Sequence, residues 1–157
     1  MTESDGFTLL EMMIVVAIVG AAILIIPALG TWMGRQGVSL AVDHLRADIQ
    51  LARMMAIKQQ GRCTITANMP GRDQYMNSLS RQWVYLSRFR GGVHFMEKGP
   101  DGRLAASEIV FNRQGMSCSA VPRDFFLADA DYSSIFRIRI LLPGGISIHR
   151  WSKDRWY

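Results

Sequence analysis

The chain has 157 residues, 49% of them hydrophobic, and a formal net charge of +5. This length leaves room for one modest domain in addition to an N-terminal segment. All 18 basic residues but only 10 of the 13 acidic residues follow residue 30, so residues 30–157 carry a formal charge of +8. Such an excess either attracts an anionic partner, such as nucleic acid, lipid or an acidic protein surface, or only keeps the domain soluble.

A long apolar segment follows a short polar N-terminus. Residues 12–26 contain no charge, and the low-polarity stretch from Phe7 to Leu29 contains a single ionisable side chain, that of Glu11. Because about 20 apolar residues in a helix cross a bilayer, the sequence predicts one transmembrane helix over residues 7–29. A cleavable secretory signal is the alternative, but no basic region precedes the segment and no Ala-x-Ala site closes it. We therefore expect the segment to remain in the mature protein.

Glu11 stands out because a carboxylate inside an apolar membrane helix costs a few kcal/mol. Either it lies close enough to the membrane interface to stay solvated, or it has a function. The stretch Gly6-Phe7-Thr8-Leu9-Leu10-Glu11 resembles the class III signal of type IV pilins and type II secretion pseudopilins. The resemblance implies that a prepilin peptidase cleaves after Gly6 and methylates the new N-terminal residue, Phe7. It also implies that Glu11 pairs with the N-terminal amine of a neighbouring subunit during assembly.

The same resemblance implies a division of the chain. Residues 1–6 are the leader, residues 7–29 the transmembrane and assembly helix, and residues 30–157 a periplasmic domain. The protein is then a single-pass protein of the bacterial inner membrane that enters a filament. The leader carries Glu3 and Asp5 where family leaders usually carry basic residues, so the expected orientation rests on the resemblance and not on charge asymmetry.

Pro27 lies in the last turn of the apolar segment and predicts a helix kink. Gly30, Gly34 and Gly37 follow, and we expect a bent or partly loosened helix there. A helical period returns from Val38 and runs to Gln60, with Gly61 as the predicted C-terminal cap. The core-facing stripe is predicted to consist of small and aliphatic side chains: Val38, Ala41, Val42, Leu45, Ile49, Ala52 and Ala56.

Beyond Gly61 the pattern changes to short strands separated by turns. The predicted strands are residues 62–68, 83–89, 93–96, 108–112, 116–120, 124–128, 136–142 and 146–151. Three successive pairs are predicted hairpins: 83–89 with 93–96, 108–112 with 116–120, and 136–142 with 146–151 across Pro143-Gly144-Gly145. Residues 69–80 are predicted to be a loop. The sequence thus favours an α+β domain with mostly antiparallel sheets.

A second resemblance narrows the family. Leu45–Arg53, Ile109–Gly115 and the closing strand–glycine–strand unit resemble the GspH/FimT-type minor pseudopilins. This implies a pilin-like fold in which a long N-terminal helix, membrane-spanning in its first half, packs on two mostly antiparallel β-sheets. It also implies a minor subunit at or near the filament tip that promotes assembly.

The sequence contains no recognisable catalytic constellation. His44, His94 and His149 are scattered, and no phosphate-binding loop or nucleophile elbow is present. Cys63 and Cys118 are a candidate disulfide in an oxidising compartment, and neither belongs to a metal-binding motif. We therefore predict no enzyme activity, no metal and no cofactor.

Two functions remain compatible with the sequence. The first is a structural subunit of a type II secretion pseudopilus or type IV pilus, with other pilins and a prepilin peptidase as partners. The second is a DNA-binding minor pilin, since some members of this branch bind DNA through a Gly-Arg-x-Arg element that lacks its first Arg here. The basic and aromatic tail is the candidate contact for DNA or a partner, or else an aromatic plug over the sheet edge. Its residues are Arg150, Trp151, Lys153, Arg155 and Trp156.

Overall fold

The computed structural model describes residues 9–67, 71, 73–78 and 80–157, and for residues 24–35 it describes the backbone. The chain divides into two compact units, Met1–Trp32 and Met33–Tyr157. Gly6 and Phe7, at the predicted cleavage site, lie outside the described residues.

The first unit contains the beginning of one long helix, α1, which runs from Leu9 to Lys58. The sequence predicts a bent or partly loosened helix after Pro27. The backbone stays helical through residues 27–37, so the predicted loosening does not occur. A bend at Pro27 stays a prediction. Over the residues whose side chains are described, no helix qualifies as long and apolar enough to cross a membrane. Of the predicted span, residues 7–8 and the side chains of residues 24–29 lie outside that description.

The second unit confirms the predicted core face of α1. All seven predicted side chains are at most 2% exposed. The helix ends differently, however, because Gln60 and not Gly61 takes the left-handed conformation, with a φ of 50°. The Gly61 N–H donates to the Ala56 carbonyl at 3.1 Å and the Gln60 N–H to the Ile57 carbonyl at 3.2 Å. This pair of bonds is a Schellman motif, displaced by one residue from the predicted cap.

Short strands follow α1 in the second unit. Among the described residues they are β1 Cys63–Ala67, β2 Gln74–Asn77, β3 Gln82–Tyr85, β4 His94–Met96, β5 Glu108–Phe111, β6 Arg123–Ala128, β7 Ile135–Ile140, β8 Ile146–Ser152 and β9 Arg155–Trp156. They form two antiparallel sheets, a first sheet in the order β3-β2-β1-β5 and a second sheet in the order β4-β6-β7-β8-β9. The predicted fold class, a long helix with two antiparallel sheets, is confirmed.

Three predicted assignments are wrong: one loop, one hairpin and one strand. Strand β2 lies inside the predicted loop 69–80. Tyr75 of this strand is buried, but the turn residues on either side of it make the segment look like a loop in the sequence. The predicted hairpin of 83–89 with 93–96 does not form because β3 and β4 belong to different sheets. Strand β3 instead ends at Tyr85, and a 3₁₀ turn over Leu86–Arg88 buries Leu86.

The third wrong assignment concerns the predicted strand 116–120. This segment makes an isolated bridge between Phe111 and Ser117 and does not form a strand. The closing hairpin is confirmed, with β7 and β8 paired from Phe136 opposite Arg150 to Ile140 opposite Ile146. Strand β9 is additional and has only two residues, too few to give a readable alternation in the sequence.

The hydrophobic core of the second unit joins α1 to both sheets in one cluster of buried side chains. Its largest members include Tyr75, Phe95, Phe111 and Phe125. The opposite face of the second sheet lies outside this cluster. It carries the C-terminal hairpin and the charged side chains described next.

Candidate functional site

The N-terminal part of α1 exposes apolar side chains on all sides. Between residues 9 and 23, Leu, Met, Ile and Val side chains are largely solvent-exposed, and exposed Glu11 lies among them. A helix that is apolar all round is normally buried in a membrane or against other protein. This surface is therefore the candidate site for association with lipid or with other helices.

A narrower apolar stripe continues on the outward side of α1 in the second unit. It consists of Leu40, Ala47, Leu51 and Met54, all exposed and spaced by three, four or seven residues. This spacing places them on one face of the helix, away from the core stripe. Only the core stripe was predicted from the sequence, because a single amphipathic period marks one apolar face of a helix.

The C-terminal hairpin of β8 and β9 brings the predicted tail residues together. Lys153 and Asp154 form its turn with φ angles of 49° and 58°, which is the type I′ geometry favoured for two-residue hairpins. The backbones of Arg150 and Tyr157 exchange hydrogen bonds of 2.9 and 3.0 Å that close it.

The two tryptophans of this hairpin pack on the outer face of the second sheet. The Trp156 indole N–H donates to Asp101 Oδ2 at 2.9 Å, and the Arg137 guanidinium lies 4.4 Å from the Trp156 ring centroid. Trp151 and Phe126 lie 5.0 and 5.7 Å from the same ring. These contacts engage the ring that base stacking would need, and they cover the face of the sheet over β6 and β7 instead of its edge, where an aromatic plug was expected.

The three basic side chains of the hairpin remain exposed. Arg150 lies 5.9 Å from the ring of Phe136, and Arg155 lies 5.8 Å from that of Tyr157. Arg150 and Lys153 also line a shallow open pocket with Ser152 and Tyr157. The hairpin thus presents cations to solvent while its indoles are engaged.

Behind Trp156 lies a network of arginines and aspartates that was not predicted from the sequence. Arg139 donates from Nε and Nη2 to the two oxygens of Asp124, both at 2.8 Å, and these hydrogen bonds raise the pKa of Arg139. The Arg137 side chain is almost fully buried 3.5 Å from Asp101. Burial and then the nearby Arg139 lower the pKa of Arg137. The sequence does contain a signal for this network, namely two arginines within the strand Phe136-Arg137-Ile138-Arg139-Ile140. Burying arginines in a strand costs free energy unless carboxylates lie next to them.

The candidate disulfide between Cys63 and Cys118 is not formed. Cys63 is a buried free thiol and Cys118 an exposed one. Strand β5 separates them, since its Phe111 pairs with Cys63 on one side and bridges to Ser117 on the other. Two strand spacings amount to about 10 Å, beyond the roughly 7 Å limit between Cα atoms for a disulfide.

No metal site was found in the described part of the chain. Three or more His, Cys, Asp or Glu side chains do not come together there in a way that could hold an ion.

Comparison with known proteins gives a match for the N-terminus and a separate match for the fold. Residues 1–27 match the prokaryotic N-terminal methylation motif. Comparison with curated proteins gave no significant match. Among solved structures, the chain is similar to the type IV minor pilin FimU of Pseudomonas aeruginosa strain PAO1 in two crystal forms. The TM-scores are 0.53 and 0.54 at 17% and 15% identity, covering 80% and 76% of this chain and 96% of FimU.

The chain carries a prepilin-type N-terminus on a pilin-like fold. The predicted resemblance to pilins is thereby confirmed, at the N-terminus by the motif and in the fold by the likeness to FimU. The helix with the exposed apolar surface, α1, begins at Leu9, inside the region that matches the motif.

Proposed function

We propose that this protein is a non-enzymatic minor pilin-like subunit that assembles into a type II secretion pseudopilus or a type IV pilus. The observation that carries the proposal is the apolar surface of residues 9–23, exposed around Glu11 on the helix that begins within the methylation motif. A surface of this size is unfavourable in water. Lateral packing against lipid and then against the helices of other pilins removes it from water.

Glu11 supplies the specificity in this proposal. A carboxylate in apolar surroundings is stabilised by a cation at close range. The methylated α-amine of Phe7 on a neighbouring subunit provides that cation, and the pairing fixes the axial register of the two helices. The exposed stripe Leu40, Ala47, Leu51 and Met54 extends the packing surface toward the domain.

The finer features of the proposal follow from the resemblance to GspH/FimT-type subunits. Residues 1–6 are the leader removed by a prepilin peptidase, residues 7–29 anchor the subunit in the bacterial inner membrane, and residues 30–157 lie in the periplasm. The subunit occupies a position at or near the filament tip and promotes assembly.

Processing provides the first test. After co-expression with a prepilin peptidase, intact-mass measurement should show loss of residues 1–6 and gain of one methyl group. A Gly6→Leu variant is the control and should keep its leader, because the bulky side chain replaces hydrogen at the scissile bond. An unprocessed wild-type chain, or cleavage after Ile26, would contradict the proposal.

Assembly provides the second test. Glu11→Gln keeps the side-chain size but removes the charge, whereas Glu11→Asp keeps the charge, so only the Gln variant should be lost from sheared filaments. Circular dichroism of both purified variants checks that the domain after α1 still folds. Recovery of Glu11→Gln in filaments at the wild-type level would exclude the pairing role.

DNA binding in uptake is the second candidate function. The exposed Arg150, Lys153 and Arg155 on one hairpin favour it, since phosphate contacts require only accessible cations. The engaged Trp156 ring disfavours a base-stacking mode. We therefore rank DNA binding below assembly.

A further inference from the structure

A cleft on the second unit has a chemistry that filament assembly through the N-terminal helix does not use. This arginine cleft is open, has a volume of about 460 Å³, and lies where the segments preceding β5 and β6 meet the end of β7. Its lining includes Arg103, Leu104, Val121, Arg123, Asp124 and Arg139.

The arginine cleft carries more positive charge than its own carboxylates neutralise. Asp124 is bound side-on by Arg139, and Arg103 lies 3.9 Å from Asp124 and 3.5 Å from Asp101. Asp101 is shared in turn with Arg137, which is buried behind the cleft. With Arg123 included, four guanidinium groups surround two carboxylates.

Two of these arginines are available to a ligand. The Arg103 side chain is 56% exposed, and both of its carboxylate contacts exceed normal hydrogen-bond length. Arg123 is exposed, donates from Nε to Ser119 Oγ at 2.9 Å, and has no ion pair within the described ranges. Arg137 and Arg139 are held by the fold, so they contribute positive potential without reaching a ligand.

Exposed aliphatic side chains accompany the charge. Leu104 is 79% exposed and Val121 is 60% exposed, and both line the same cleft as the two available arginines. Exposed apolar side chains gain nothing beside a phosphate backbone. Arginine next to aliphatic surface is instead characteristic of protein interfaces, where guanidinium groups bind carboxylates bidentately.

We propose that the arginine cleft binds a peptide segment of a partner protein in which acidic and aliphatic residues alternate. A Glu or Asp carboxylate of the segment lies between Arg103 and Arg123, and its aliphatic side chains pack on Leu104 and Val121. This partner site is separate from the N-terminal helix and does not depend on Glu11 or on leader cleavage.

The experiment uses the full chain in neutral detergent micelles and fluorescence anisotropy. The probe is a labelled synthetic ten-residue peptide of alternating Glu and Leu. A Gln/Leu peptide of equal length tests the need for charge, a labelled ten-nucleotide oligothymidylate tests phosphate, and empty micelles give the background. The Glu/Leu peptide should bind, and the Gln/Leu peptide should bind about tenfold more weakly, because the bidentate contacts are lost.

Matched variants locate the site. Arg103→Gln/Arg123→Gln should weaken binding of the Glu/Leu peptide about tenfold, whereas Arg46→Gln/Arg81→Gln removes the same charge from exposed positions elsewhere and should change it less than about twofold. Leu104→Ser/Val121→Ser keeps all charges and should also weaken binding. All six positions are exposed, so the fold should tolerate each change.

Three results would overturn the proposal. The first is absence of peptide binding above the micelle background at low salt. The second is an equal loss in both arginine double variants, which would indicate only general electrostatic attraction. The third is tighter binding of the oligothymidylate with the same dependence on Arg103 and Arg123, which would identify a phosphate site instead.

Discussion

The buried hydroxyl of Tyr75 on β2 donates its hydrogen bond to the carboxylate of Asp48 on α1. Burial and then this hydrogen bond raise the pKa of Tyr75 above its ordinary value. His44 Nδ1 lies 2.7 Å from the same hydroxyl, and Arg88 Nη2 donates to His44 Nε2. Since Arg88 can only donate, His44 Nε2 is the acceptor of that hydrogen bond. One chain of hydrogen bonds thus ties α1, β2 and the 3₁₀ turn together.

Replacing Tyr75 with Phe should destabilise the second unit. The variant keeps the ring in the core but removes a hydrogen bond to a carboxylate, which costs about 1.5–3 kcal/mol in the free energy of unfolding. Urea unfolding at pH 7 measures the change. Tyr85→Phe is the control, because Tyr85 is exposed and its loss of a hydroxyl should have little effect. Equal stability of Tyr75→Phe and wild type would show that the hydrogen-bond chain contributes no net stability.

Gly37 of α1 is predicted to resist substitution. A Cβ at this position would overlap the backbone carbonyl oxygen of Arg90, so α1 and the segment before β4 approach each other directly. Gly37→Ala gains about 1 kcal/mol of helix propensity but forces backbone apart, at a cost of about 1–3 kcal/mol. We expect a net loss in thermal or urea stability.

The matched control for Gly37 is Gly61→Ala, where the nearest atom to the added Cβ is the Gln59 carbonyl oxygen at 3.7 Å. That variant should be close to wild type. A Gly37→Ala protein more stable than wild type would indicate that this glycine only weakens the helix, as its low helix propensity alone suggests.

His149 should make the stability of the domain depend on pH. Burial, and then the neighbouring Arg137 and Arg139, lower the pKa of His149 below its ordinary value of 6.5. The unfolded chain therefore takes up this proton before the folded chain does as pH falls. The stabilisation from neutral His149 is complete above pH 6.5 and decreases at lower pH.

Urea unfolding of wild type and His149→Gln at pH 7.5 and pH 5 measures this effect. Wild type should lose more free energy of unfolding between the two pH values than the variant does. The other titrating groups are common to both proteins, so the difference isolates His149. The same loss in both proteins would show that His149 remains accessible to protons in the fold.

The features that sequence predicted well are local. The core stripe of α1 follows from a single helical period, and the β7–β8 hairpin follows from alternation around Pro143-Gly144-Gly145. The features it missed depend on contacts between distant segments. Strand β2 can be recognised only when the contact of Tyr75 with Asp48 on α1 is known. Strands β3 and β4 lie in different sheets because β3 pairs with β2 and β4 pairs with β6.

The arrangement of the sites shows the same limit. Clustering of Arg150, Lys153 and Arg155 was predictable because they are close in sequence. The engagement of Trp156 was not, because its partners Asp101, Phe126 and Arg137 come from three separate segments. A separation of the two cysteines by β5 likewise requires knowledge of the sheet order.

Salt dependence distinguishes the two candidate functions of the C-terminal hairpin. If its cations contact DNA, the logarithm of the affinity should fall linearly with the logarithm of salt concentration as counterions are released. Arg150→Ala/Lys153→Ala/Arg155→Ala should reduce that slope by up to about 3 on duplex DNA, since each phosphate contact contributes about 0.9. If the hairpin instead contacts other pilin-like subunits, DNA binding should be weak at all salt concentrations.

The control for this titration is Arg46→Ala/Lys58→Ala/Arg81→Ala, which removes the same charge from exposed positions outside the hairpin. It should retain the wild-type slope if binding is local. In one outcome the wild type binds DNA tightly and only the hairpin variant loses that binding. This result would rank DNA binding above assembly as the function of this domain. No binding even at low salt would leave assembly as the role, because a cationic hairpin that met phosphate would bind most tightly under that condition.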